Sequence, residues 1–271
     1  MAIRRSNLAE IKPGEVVLVG IPFDTNSSFL QGPAKAPPLI IEALESDSAN
    51  YFTEDFKNLS EHAGVCWLGN ASFADYFEIE KVILEILNRQ AIPFVLGGDH
   101  SITYPVMKAM AQHHKALNIL HFDAHGDLYD SLNGNRYSHA SPFARIMEDG
   151  LAQGLTQVGI RTLNQHQQEQ VQRFGVTVID MKSWSPEVDL NISGPVYLSF
   201  DMDVLDPAFA PGVSHHEPGG FTTREVLTML QKLDLDIVGL DLVEYNPDRD
   251  VYGLTAMTAA KLVKELLAGL I

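Results

Sequence analysis

Asp123, His125 and Asp127 fall two residues apart in His121-Phe122-Asp123-Ala124-His125-Gly126-Asp127, directly after the apolar Ile119 and Leu120. The apolar lead marks the end of a buried strand. Along an extended chain, alternation sends the three side chains to one side. Two carboxylates and an imidazole converging at a strand end make half a metal site. Taken alone, the triplet reads equally well as a polar turn that caps the next element. Two other stretches repeat the pattern. Val95-Leu96-Gly97-Gly98-Asp99-His100 is an apolar run ending in Gly-Gly-Asp-His, and the run 196–203 ends in Asp201 and Asp203. Packing does not explain three buried strands that all finish in acidic or imidazole side chains. In open α/β sheets, ligands bind beyond the carboxyl ends of the strands. Carboxylates gathered there need a counter-charge, and a metal is the usual one.

The candidate ligands are His100, Asp123, His125, Asp127, Asp201 and Asp203. A lone zinc would take about four protein ligands, so two ions sharing bridging carboxylates fit this set better. Oxygen and imidazole donors without thiolate suit Mn²⁺, with Fe²⁺, Co²⁺, Ni²⁺ or Zn²⁺ as other occupants. Two ions roughly 3.5–4 Å apart lower the pKa of a bridging water and present hydroxide near neutral pH. The chemistry expected is hydrolysis with no organic cofactor.

Such a constellation needs a scaffold that brings strand ends together. Apolar runs predict about eight strands, at 16–21, 65–68, 92–96, 117–122, 156–160, 176–180, 196–200 and 237–242. Helical spacing predicts helices at 39–44, 77–89, 104–113, 142–149, 164–174, 223–233 and 255–267, with Thr222 or Thr223 capping the sixth. Continuous apolar strands are buried on both faces. The expected fold is therefore α/β, a three-layer α/β/α arrangement around a mainly parallel sheet. No repeat, low-complexity tract or linker divides the chain, so residues 1–271 are expected to form one domain.

Composition narrows the function classes. The formal net charge of −16 argues against nucleic acid or an anionic membrane as partner and is compatible with a cationic substrate. No apolar run approaches membrane-spanning length. Cys66 is the only cysteine, which excludes an intrachain disulfide and favours a reducing compartment. The stretch 1–14 has no apolar core of a secretory signal, so a cytoplasmic location is expected.

With these residues in place, a resemblance is evident. The stretches 97–101 (Gly-Gly-Asp-His-Ser), 123–127 (Asp-Ala-His-Gly-Asp) and 199–207 (Ser-Phe-Asp-Met-Asp-Val-Leu-Asp-Pro) resemble the three metal-binding signatures of the ureohydrolase (arginase/agmatinase) family. The resemblance runs from Gly20-Ile21-Pro22 to the last helix, in the family's order, and implies the arginase-like fold. It implies two Mn²⁺ ions, one held by His100 and Asp127, the other by His125 and Asp203, with Asp123 and Asp201 bridging. Within the family the plant-type arginases are most similar. The loop 134–141 (Gly-Asn-Arg-Tyr-Ser-His-Ala-Ser), the loop 210–220 (Ala-Pro-Gly-Val-Ser-His-His-Glu-Pro-Gly-Gly) and the stretch 254–263 carry that likeness.

Single residues acquire roles by the same resemblance. His139 would otherwise be an exposed loop histidine; it matches the family's proton shuttle. Glu244, otherwise a surface acid after the last strand, matches the glutamate that grips the guanidinium, whose paired N–H groups suit a carboxylate. Asn135, Ser138, His215 and Glu217 are candidates for the substrate's head group, each with a loop-structural alternative, and Asp241 is a supporting residue. The implied reaction is attack of the metal-activated hydroxide on L-arginine, with Asp127 carrying its proton to the departing amine, giving L-ornithine and urea. Agmatine or another guanidino compound is the alternative substrate. A metal-binding sensor on the same fold is the alternative of another class. The resemblance also implies a homo-oligomer, trimer or hexamer.

Overall fold

A computed structural model describes residues 3–271; Met1 and Ala2, which open the stretch 1–14, lie outside the described residues. Its centre is one open sheet. The strands are β1 (Arg4–Arg5), β2 (Val16–Gly20), β3 (Val65–Asn70), β4 (Ile92–Leu96), β5 (Asn118–Phe122), β6 (Gly154–Ile160), β7 (Thr177–Asp180), β8 (Pro195–Asp201) and β9 (Asp236–Val243). They lie in the order β1-β3-β2-β4-β9-β8-β5-β6-β7, and every neighbouring pair is parallel. All eight expected strands are present. The ninth, β1, is two arginines with no apolar pattern to announce it. It pairs with Cys66 and Trp67 at the sheet edge, and its guanidinium groups reach Glu15 and Glu45 at 2.8 and 2.7 Å.

The seven expected helices also form, as α1 (Ala36–Leu44), α2 (Ile79–Leu87), α3 (Thr103–His113), α4 (Pro142–Glu148), α5 (Gln165–Phe174), α6 (Thr223–Leu230) and α7 (Leu254–Leu270). Thr222 caps α6 in a reciprocal box with Glu225, and Asn164 caps α5 with Gln167. Prolines 37 and 38 sit in the first turn of α1, where a missing N–H costs nothing. No described helix is long and apolar enough to cross a membrane.

Strand alternation sorts the core into two layers. Leu18, Phe94, Leu96, Phe122, Leu198 and Phe200 face one side and pack with α1, α6 and α7. Val17, Val19, Val95, Ile119 and Tyr197 face the other, with α2, α3 and α4. Both faces are dry, which is why the strands read as unbroken apolar runs.

Register levels the strand ends. Leu96 pairs with Leu242, Leu242 with Phe200, and Phe200 with Phe122. This apolar row crosses β4, β9, β8 and β5, four adjacent strands. Asp201 and Asp123 come next on β8 and β5, and Glu244 and Asp99-His100 follow two to four residues beyond the row on β9 and β4.

Candidate metal centre

Each of the six predicted ligands leaves the sheet just beyond that row. His100 follows β4 in a short 3-10 turn capped by Asp99, Asp123 to Asp127 follow β5, and Asp201 ends β8 and caps the 3-10 turn that carries Asp203. Gly98 allows the β4 exit to run against the loop after β2. A Cβ there would stand 1.7 Å from the Phe23 carbonyl oxygen. Asp127 and Glu244 hold left-handed backbone, at φ 48° and 63°. Such conformations cost a non-glycine residue roughly 1–2 kcal/mol, and here they belong to two predicted site carboxylates.

The side chains converge. His100 Nδ1 lies 3.2 Å from Asp123 Oδ2, 3.2 Å from Asp127 Oδ2 and 3.1 Å from Asp201 Oδ2. His125 Nδ1 lies 3.0 Å from Asp203 Oδ2 and 3.4 Å from Asp123 Oδ1. Asp123 therefore stands between two imidazole-centred groups. Backbone amides orient the acids: His125 N donates to Asp123, Asp203 N to Asp201, and Ala124 N to Asp203.

The donor chemistry fits a cation. Asp123, Asp201 and Asp203 are all but fully buried, with only imidazoles as counter-charge. Burial, reinforced by Asp203 and Asp123, pushes the Asp201 carboxyl well above its usual range. Burial likewise raises Asp203, to about 6, against the pull of His125. Burial opposes charge on His100 as well, but three carboxylates outweigh it and hold its imidazole well above the ordinary value. A proton on Nδ1 thus occupies the position where the carboxylates would favour a divalent ion.

A second layer holds this one. His100 Nε2 lies 2.9 Å from Ser199 Oγ, which donates to Asp241 Oδ1 at 2.7 Å. Asp241 also accepts from the hydroxyls of Thr103 and Tyr197, at 2.8 Å each. His121 Nε2 lies 2.8 Å from Asp123 Oδ2, and its Nδ1 is 3.0 Å from the Gln157 amide nitrogen. His121 is near enough to His100 and Asp123 to share an ion with them. With both ring nitrogens bonded and burial keeping it neutral, it serves instead to orient Asp123. Sequence reasoning placed His121 and Ser199 within their motifs but gave them no role, and it missed Gln157; each is a polar residue inside an apolar strand.

Beside the acids opens a cleft of about 210 Å³, lined in part by His125, Asp127, Asp201, Asp203, His139, His215 and Glu244. Glu244 Oε1 accepts from His100 N at 2.9 Å and lies 2.9 Å from His139 Nδ1. Burial resists their ionisation, but each outweighs it for the other: His139 is raised to about 9 and Glu244 is lowered. Burial lowers His215, whose ring lies 5.2 Å from that of His139. Tyr129, Thr162, Asn164 and Gln167 form an uncharged polar part of the wall; none was singled out by sequence. Asn135, Ser138 and Glu217 are not among the lining residues. The Asn135 side chain is used in holding loops together, donating to Asn26 Oδ1 of the loop after β2 and accepting from Tyr137 N of its own loop. Ser138 is buried, and Glu217 meets Arg161 through its carbonyl. A larger hollow of about 500 Å³ lies between the segment 184–192 and α6 and holds none of the predicted residues.

The family model described as the Arginase family matches residues 14–269. Arginase 1, mitochondrial, of Arabidopsis thaliana is 48% identical over 93% of this chain and 80% of its own length. The human guanidino acid hydrolase, mitochondrial, is 35% identical over 94% of this chain and 78% of its own. The solved structure of arginase from Medicago truncatula superposes with a TM-score of 0.88 at 44% identity, covering 94% of this chain and 87% of that one. These names correct the cytoplasmic expectation: plant relatives named mitochondrial or chloroplastic/mitochondrial point to an organelle. A single free cysteine suits any reducing compartment, so composition had no means of separating the two.

Proposed function

The chain belongs to the arginase family, and on that premise we propose that it hydrolyses the guanidino group of L-arginine to L-ornithine and urea. It is a ureohydrolase acting on a small guanidino substrate. One observation carries the reading: the six donors converge, and four of them, His125, Asp127, Asp201 and Asp203, line one cleft with the Glu244–His139 pair.

His100, Asp127, His125 and Asp203 would hold two Mn²⁺ ions, with Asp123 and Asp201 between them. When bound, the metal supplies Lewis-acid activation of water near neutral pH. Glu244 is ionised, buried and fixed by the His100 amide. It accepts the paired N–H groups of the guanidinium and turns its carbon toward the acids. Asp127 takes a proton from the attacking water and passes it toward the departing amine. His139 exchanges protons between cleft and solvent. The neutral polar groups near Asn164 meet the head of the substrate. Residues 1–271 act as one domain, and the assembly is a homo-oligomer, trimer or hexamer.

The test is urea release by the Mn²⁺-loaded protein with L-arginine, agmatine and a guanidino acid at equal concentration. Arginine far ahead supports the proposal. Preference for either other compound keeps the chemistry and replaces the substrate. Urea from none refutes the enzyme reading.

A further inference from the structure

The loop between β2 and α1 carries one hydroxyl into the cleft. Ser28 Oγ lies 2.8 Å from His139 Nε2, while His139 Nδ1 lies 2.9 Å from Glu244 Oε1. A hydrogen-bonded row thus leads from a buried carboxylate, through an imidazole that is 7% exposed, to an exposed serine on the cleft wall.

The placement of Ser28 is built by its neighbours. Before it, Ser27 Oγ donates to Asp99 Oδ2 at 3.2 Å, and Asn26 Nδ2 donates to Ser101 Oγ at 3.3 Å. After it, the Leu30 carbonyl accepts from Ser214 Oγ at 3.4 Å, and the Gln31 carbonyl accepts from Asn246 Nδ2 at 3.3 Å. Those anchors stand on the segments that follow β4, β8 and β9. The Asn26 carbonyl also accepts from His139 N at 3.1 Å, so one short stretch holds His139 by backbone and ring together.

We propose that Ser28 is a positioning residue for His139 and its link to solvent, an inference that rests on the shuttle role of His139. Once a substrate guanidinium beside Glu244 opposes charge on the ring, His139 is neutral, Glu244 accepts the Nδ1–H, and Nε2 is the exchange side. For uptake, the Ser28 proton moves to Nε2 and a water proton replaces it, while the Nδ1 proton leaves for the amine. For release, Nδ1 takes the proton that the water sheds in becoming hydroxide, Asp127 carrying the other to the amine, and the Nε2 proton passes through Ser28 to solvent. One proton enters and one leaves per turnover, and Ser28 stays neutral. When the guanidinium engages Glu244, the Nδ1 bond weakens and Ser28 becomes the contact that fixes the ring.

The Mn²⁺-loaded Ser28→Ala and Ser28→Thr variants test this. Ser28→Ala is expected to lower kcat about tenfold with KM within about twofold, the loss of one hydrogen bond felt in turnover. Small proton-carrying buffers should recover the loss, and Ser28→Thr should keep most of the wild-type rate. In the metal-free protein, the ¹⁵N resonance of His139 Nε2 should move in Ser28→Ala and hold in Ser28→Thr. An unchanged kcat in Ser28→Ala overturns the proposal. So does a loss that neither threonine nor buffer recovers, because that marks a purely structural role. A wild type that releases no urea refutes the proposed function instead, while the resonance still tests the positioning.

Discussion

Replacing Ser199 by alanine tests how the fold prepares His100 for a metal. Ser199 lies in register beside Asp241 on neighbouring strands. Its hydroxyl proton is committed to Asp241 at 2.7 Å, so its lone pair accepts from His100 Nε2 at 2.9 Å. That bond fixes the tautomer that turns Nδ1 toward Asp123, Asp127 and Asp201. In Ser199→Ala the Nε2–H is buried with no acceptor, a defect of about 1–3 kcal/mol. The metal-free ring escapes part of this by releasing its Nε2 proton. A ring whose Nδ1 lone pair is given to a cation has no such escape. The cost therefore falls on binding, and Mn²⁺ affinity should drop about 10–100-fold, the usual range for such supporting partners. The assay is chelator competition for Mn²⁺, with thermal unfolding of the metal-free variant as the control for global damage. An affinity within about twofold of wild type, in a variant that folds normally, would refute the orienting role.

Other perturbations probe the remaining parts. Glu244→Gln removes a charged acceptor and should lower kcat/KM for the guanidino substrate about 10–100-fold with metal content unchanged; a normal kcat/KM would remove Glu244 from substrate binding. In the metal-free protein, His139 is raised from 6.5 to about 9. The stabilisation it contributes, at most about 3 kcal/mol, is therefore full below its ordinary pKa and lost as pH rises through the folded value. The stability gap between wild type and His139→Asn should shrink from pH 6.5 to 9, and a gap that stays constant across that span would contradict the pairing. Gly98→Ala places a Cβ against the Phe23 carbonyl and should destabilise the protein by about 3 kcal/mol, the upper range for overpacking. Denaturant unfolding reads this, and an unperturbed midpoint would show that the loop after β2 yields freely.

The sequence by itself determined the elements and the donor set. Eight of nine strands and all seven helices were legible because strands buried on both faces are apolar throughout, and the helices keep their 3.6-residue spacing. The donors His100, Asp123, His125, Asp127, Asp201 and Asp203 were legible because each group ends such a run. Only tertiary structure decided that β4, β9, β8 and β5 lie side by side, an order unlike their order in the chain. Parallel strands joined by helices leave neighbour choice to packing between layers, which no local pattern records. The same holds for the supporting contacts. Ser199 meets Asp241 by register, and Ser28 meets His139 across 111 positions of chain. Asn135 and Ser138 lay near His139 in sequence, yet neither lines the cleft: Asn135 ties its loop to Asn26 of the loop after β2, and Ser138 accepts from Ala140 N within its own. Residue type and spacing tell what a side chain is able to do; which partner it meets is set by how far folding brings distant segments together.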